Sequence, residues 1–317
     1  MTGYIIRRLL QAVIVVLGVM LFVFVIYHLQ PAYVMAKAIV GPRASPAQIQ
    51  AVIQANDFNK PFYVQFWQEL KNYSHLNFGH SYQRNAQVST LIAQNLPKTL
   101  VLVGTATLLA LVVAIPLGVF QTVRRNKPSD YALTSLAFIF YSLPPYVLGP
   151  VLVIYLAIKV HIFDPTVPPN EGAFQLLTDW RAMTLPVLTL AAVTVAAFSR
   201  YMRSSMMDAL TEDYVRTARA KGAGRARVLF RHAFRNALIP IVTLLGLSIP
   251  VIAGGAVLTE TVFNYPGMGY LTTTAASQSD LAVVVGTTVV FAILVVVGNL
   301  VADILYAVID PRIRYVK

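Results

Sequence analysis

Six apolar runs, at about 9–29, 99–121, 132–158, 183–199, 237–258 and 282–306, leave this chain little choice of fold. Crossing roughly 30 Å of hydrocarbon takes about 20 apolar residues of helix. The expected fold class is therefore an all-α polytopic membrane protein of six transmembrane helices. The fourth run is the shortest. Composition agrees: 57% of residues are apolar and 12% are charged, against about a quarter charged in soluble domains. There is no cysteine, which removes disulfide frameworks and thiolate metal sites.

The basic residues set an orientation. Arg7 and Arg8 precede the first run, Arg124, Arg125 and Lys127 follow the second, nine cations follow the fourth, and Arg312, Arg314 and Lys317 follow the last. Seventeen of the 25 cations thus fall on one side, and six of the others share one long loop, where the positive-inside rule is weak. Both termini are therefore predicted to be cytoplasmic, and an even number of spans independently requires them to share a side. This spread along membrane connectors also speaks against nucleic acid, despite a formal charge of +12. The first run follows a basic start, but at about 21 residues it exceeds a signal-peptide core. It is read as a retained span, residues 1–29.

Residues 30–98 form an extracytoplasmic segment with Pro31, Pro42, Pro46 and Pro61, read as a small cap of helices and loops. Residues 99–317 hold the five remaining spans. In the second span Ala106, Ala110, Ala114 and Gly118 recur every four residues, a spacing that lets helix backbones approach. Pro116, Pro144, Pro145, Pro150 and Pro250, with Gly254 and Gly255, predict bends whose freed backbone faces protein or a water-filled cavity. Asp303 shares a helical face with Asn299, open to a structural contact or a role in substrate handling. Glu260 is expected at the outer surface. The scarcity of ionisable groups near the midplane argues against a self-powered carrier.

The connector between the fourth and fifth spans, 200–236, is basic and helix-prone. It reads as two short helices hinged at Gly222-Ala223-Gly224, with Asp213 capping the first and Gly222 stopping it. Arg227, Arg231 and Arg235 recur every four residues, as do the pairs Leu229–Ala233 and Phe230–Phe234. Like charges at that spacing destabilise an isolated helix, so an anionic surface should face them. Inner-leaflet phosphates and an acidic groove on a partner protein both fit. The chain has no G-x-x-x-x-G-K-[ST] loop and no Ser–His–Asp arrangement. His28, His75, His80, His161 and His232 are scattered, although His75 and His80 could meet on a loop. Gly267 and Gly269 are expected to shape a turn or re-entrant hairpin.

YVRTARAKGAG followed by VLFRHAFRNALIPIVTLLG resembles the cytoplasmic loop of permease subunits of ATP-binding-cassette importers. Aligned on Gly222, the family's Glu-Ala-Ala positions hold Arg216, Thr217 and Ala218, and Pro240 lies further downstream than the general pattern. RTARAKG is similar to the form of the dipeptide, oligopeptide and nickel class. NKPFYVQF at 59–66, FGHSYQ at 78–83, TETVFNYPGMG at 259–269 and DPRIRY at 310–315 extend the resemblance over nearly the whole chain. The external segment resembles that of the first, B-type, permease of such systems. The Pro-Gly-Asp-Pro patch usual after the first span is replaced by Gln30-Pro31-Ala32-Tyr33.

The resemblance implies the type I importer permease fold in the inner membrane of a prokaryote. It implies a homologous second permease, two ATPase subunits, an extracytoplasmic solute-binding protein and no enzymatic activity in this chain. ATP and magnesium are expected on the ATPases, and no cofactor or metal here. Asp213, Tyr214, Arg216, Thr217, Ala218, Lys221, Gly222 and Gly224 are the implied ATPase-coupling residues. Peptides are the implied cargo. The same permease type serves nickel complexes, glutathione and other small solutes, and a stand-alone channel or carrier is the reading from another class.

Overall fold

The computed structural model describes residues 2–41, 44–55 and 57–309, with side chains at 2–5, 27, 38, 247–255 and 302–309 excepted. The expected DPRIRY motif, the three last cations and the Asp303 side chain lie outside the described residues. The chain divides into two units, 1–99 with 266–300, and 100–265 with 301–317.

The first unit opens with α1 (Thr2–His28), whose apolar residues, from Leu9 to Phe22 and Ile26, are largely exposed, as a lipid-facing span requires. Three short helices follow: α2 (Ala32–Val40), α3 (Pro46–Ala55) and α4 (Phe62–Ser74). Pro31 and Pro61 sit just before α2 and α4 with extended ψ of 144° each, where a missing N–H and a fixed φ suit a helix start. Ala36, Ile49 and Ile53 bury a small core between α2 and α3. The all-α expectation then meets one exception, a two-stranded antiparallel pair, β1 (His80–Ser81) with β2 (Ala86–Gln87). Its loop is held by buried Ser81, which donates to Asp280 and accepts from the Arg84 N–H, and by Arg84 donating to Thr274 Oγ1 at 2.9 Å. Asp280 lies between α13 (Met268–Ser277) and α14 (Leu281–Ile309). A hydrogen-bonded pair this short has no hydrophobic period to announce it.

α5 (Val88–Val123) begins well before the expected residue 99 and contains the division between the units. In the second unit it is followed by α6 (Pro128–Ser142) and α7 (Pro145–Leu152), the latter continuing as a π-turn over Val153–Lys159. The expected single span at 132–158 is instead a pair bent by 104°. Leu143 and Pro144 are extended (ψ 116° and 146°) because each precedes a proline, whose ring excludes the α region for the residue before it. By contrast α5 passes Pro116 and α12 (Phe234–Val262) passes Pro250, Gly254 and Gly255 without a break. α8 (Ala173–Thr178) is short, and α9 (Trp180–Thr211) is much longer than the run at 183–199 that announced it. Asp179 caps α9 by accepting from the N–H groups of Arg181 and Ala182. Among the described residues five helices are long and apolar enough to cross a membrane, or six if the bent pair forms one span.

The small-residue stripe of α5 faces inward. Ala106, Ala110 and Ala114 are fully buried. A Cβ on Gly118 would stand 2.6 Å from Met202 Cβ, 2.7 Å from the Ser199 carbonyl oxygen and 2.9 Å from the Arg203 nitrogen. α5 and α9 therefore meet backbone to backbone, which only a glycine allows at that point.

Glu260 departs from the expected outer surface. α12 extends to Val262, so Glu260 lies inside the helix and is fully buried, as are Thr259, Phe263 and Tyr265 beside it. Burial, and secondarily Glu260, push the Tyr265 phenol well up. Gly267 opens α13 in an extended conformation, so the expected glycine turn leads into a ten-residue helix.

Candidate functional site

The connector is built outward from a buried root. α9 continues beyond its apolar run and buries Met202, Met206 and Ala209. Against them pack Val119 of α5, Val215 and Ala218 of α10 (Asp213–Ala220), Val228 and Ala233 of the next segment, and Ala237 and Ile241 of α12. α10 thus spends one face, three residues apart, on the chain's own core. Its other face, with Asp213, Tyr214, Arg216, Thr217, Arg219 and Ala220, is exposed. Ala218 is the exception among the expected coupling residues: it supports α10 from beneath and does not present a surface to a partner.

α10 starts after Glu212, one residue earlier than an Asp213 cap would give, and Glu212 makes no side-chain capping bond. Asp213 still braces the first turn. Its carbonyl accepts from Thr217 Oγ1 at 3.0 Å and its carboxylate from Arg216 at 3.4 Å. Both side chains of that ion pair are largely exposed, so it adds little stability. The C-terminus is a Schellman turn. Gly222 N–H donates to the Arg219 carbonyl at 2.9 Å and Ala223 N–H to the Ala218 carbonyl at 3.0 Å. Gly222 has φ +80°, the left-handed conformation this motif needs and side chains resist. Gly224 has an ordinary φ of −64°. Lys221 and Gly222 complete the exposed tip.

The second expected helix is not separate. α11 (Arg225–Arg227) passes through a π-turn, Val228–Ala233, directly into α12. The bend at Gly222 therefore joins one free-standing helix to the root of a span. The widened π-turn also breaks the four-residue register that would place Arg227, Arg231 and Arg235 on one straight stripe. All three are nevertheless exposed. Phe230 and Phe234 meet edge to face at 6.4 Å.

Sequence reasoning missed the tie that holds this root. Arg203 on α9 forms a forked pair with Asp130 at the start of α6, Nε to Oδ1 at 2.9 Å and Nη2 to Oδ2 at 2.8 Å. Asp130 is 1% exposed and also accepts the Asn126 N–H at 3.1 Å. Thr122 Oγ1 on α5 donates to the Arg203 carbonyl at 3.2 Å. Three helices and the Arg124–Lys127 turn are thereby fixed together. The signal available was a lone carboxylate at the very start of an apolar run, where burial demands a partner.

His75 and His80 each make local contacts. His75 Nδ1 lies 2.8 Å from the Lys71 carbonyl, while the His80 ring packs on Tyr82. Among the described residues no group of three His, Cys, Asp or Glu side chains could hold a metal ion.

Comparison with known proteins fits this arrangement. Residues 114–315 match the family described as binding-protein-dependent transport system inner membrane component, and residues 1–103 match its N-terminal companion. The chain is 41% identical to the oligopeptide transport system permease protein AppB of Bacillus subtilis (strain 168), over 99% of this chain and 100% of that protein. It is 36% identical to the glutathione transport system permease protein GsiC of Salmonella choleraesuis (strain SC-B67), and 35% identical to its counterpart in Escherichia coli O1:K1 / APEC. Both alignments cover 99% of this chain and 100% of the relative. With a rooted connector, bent and closely packed spans and full-length similarity of this kind, the chain belongs to the binding-protein-dependent transport system inner membrane components, as a multi-pass permease of the peptide class of ATP-binding-cassette importers.

Proposed function

We propose that this chain forms half of a translocation pathway for di- or oligopeptides across a prokaryotic inner membrane. Both termini and the 200–236 connector face the cytoplasm, and 30–98 faces outward. A homologous permease supplies the other half, an external solute-binding protein delivers cargo, and two ATPase subunits carry ATP and magnesium. The exposed face of α10, with Asp213, Tyr214, Arg216 and Thr217, and its tip at Lys221, Gly222 and Gly224, seats in a cleft of one ATPase. Ala218 holds that helix to α9 and α12, so displacement of α10 is passed to the spans, which alternate between inward- and outward-facing states.

The observation that carries this reading is the form of α10: a short helix rooted on one face in the packing of α5, α9 and α12, and exposed on the other. A lever needs both. The bent α6–α7 pair gives the spans a place to flex, and the permease relatives named for oligopeptide and glutathione transport point to peptide cargo. The test is uptake of a labelled dipeptide by proteoliposomes holding the assembled importer. Uptake should require ATP, and the chain alone should concentrate nothing. Gradient-driven accumulation by this chain alone would refute the proposal in favour of a self-sufficient carrier.

A further inference from the structure

We infer that α4 is an interfacial anchor, lying in the headgroup layer of the leaflet at the His28 end of α1, with Tyr63 and Trp67 as its lipid contacts. This inference is independent of cargo and of coupling to ATP. One face of α4 is spent on α1: Phe24 packs edge to face with Phe62 at 4.9 Å and with Phe66 at 5.2 Å, and is itself buried. Phe24 stands four residues before the end of α1, or about 6 Å along the axis. The polar zone on each side of the hydrocarbon is itself about 5–8 Å deep. The apolar span of α1 ends at Ile26, two residues beyond Phe24, so a helix seated on Phe24 is held where hydrocarbon gives way to headgroups.

The adjacent face, turned about 100° from the two phenylalanines, then has a defined environment. Tyr63 and Trp67 are 73% and 69% exposed, and Lys71 follows at the same four-residue spacing, also exposed. Tyr and Trp favour that layer because an apolar ring and a polar edge are both satisfied there. A lysine beyond them reaches phosphate while its stem stays on apolar surface. The lipid-facing surface of α1 continues to this level through exposed Phe22, Ile26 and Leu29, so α4 extends an interface the span already makes.

The chain has two tryptophans, and Trp180→Phe leaves Trp67 as the only indole. In phosphatidylcholine vesicles containing the full chain, lipids brominated near the glycerol end should cut Trp67 emission by about half, and lipids brominated at chain ends by less, as headgroup depth requires. Aqueous iodide should quench weakly. Strong iodide quenching with silent bromolipids would overturn the inference, because the face would be open to water. Shielding from both quenchers would also overturn it, because protein would cover the face. The chain lacks cysteine, so a nitroxide on Trp67→Cys gives the second measurement: greater collision with oxygen than with a water-soluble nickel chelate supports the lipid contact, and the reverse refutes it.

Discussion

Replacing Gly118 with alanine adds one methyl group where the backbones of α5 and α9 meet. That carbon would stand 2.6 Å from Met202 Cβ, 2.7 Å from the Ser199 oxygen and 2.9 Å from the Arg203 nitrogen. Carbon atoms in favourable contact are about 3.5–4.0 Å apart, so the shortfall is about 1 Å. None of the three atoms is the end of a flexible side chain, so relief requires α5 and α9 to separate. Overpacking of this kind costs about 1–3 kcal/mol, offset by about 0.8 kcal/mol from the better helix propensity of alanine. Gly104 lies in the same helix with nothing near its would-be Cβ, so Gly104→Ala keeps the propensity gain alone. The two substitutions should move stability in opposite directions and differ by about 2 kcal/mol. At about 2–4 °C per kcal/mol, their melting temperatures in detergent should differ by roughly 4–8 °C. A Gly118→Ala chain that melts at or above its parent would refute the close-approach argument.

Gly222→Val should impair ATP-driven uptake while leaving membrane insertion intact, because a branched Cβ opposes φ +80° at a cost of about 1–3 kcal/mol; normal uptake would discard the hinge. Arg203→Ala strands the Asp130 carboxylate and should cost about 2 kcal/mol, less than for a fully buried pair because Arg203 is partly exposed. Adding Asp130→Ala should restore part of that loss in thermal unfolding, and a double variant as unstable as the sum of the singles would deny the pairing. Burial raises the Glu69 carboxyl above its ordinary value of 4.5, against the opposing hydrogen bond from Tyr73 and the charge of His28. The folded state therefore binds more protons than the unfolded one, and stability should fall as pH rises from 4.5 through the raised value. Glu69→Gln should flatten that slope in melting curves taken across the range.

The residues legible in the sequence were those whose role is local. Gly222 marks a helix end because the left-handed turn is a property of one residue. The Ala106–Gly118 spacing marks a packing face because helical periodicity alone sets it. Asp130 and Arg203 are 73 positions apart, and no local pattern joins them. The same separation hid Ser81 and Asp280, 199 positions apart. Glu260 was misplaced because the end of an apolar run is not the end of a helix: once α12 started, its backbone bonds carried it to Val262 whatever the polarity.

Sequence by itself determined that this chain lives in a bilayer, that Pro144 and Pro145 interrupt a helix, and which family it belongs to. Each follows from chain-local physics, namely transfer of apolar runs, backbone sterics and motif chemistry. Tertiary structure decided that 132–158 turns through 104° and that the second connector helix is the root of a span. It also showed that Ala218 faces its own core while its neighbours face outward. Those outcomes depend on which distant surfaces meet, and that is settled only when packing selects one arrangement among many that local preference allows.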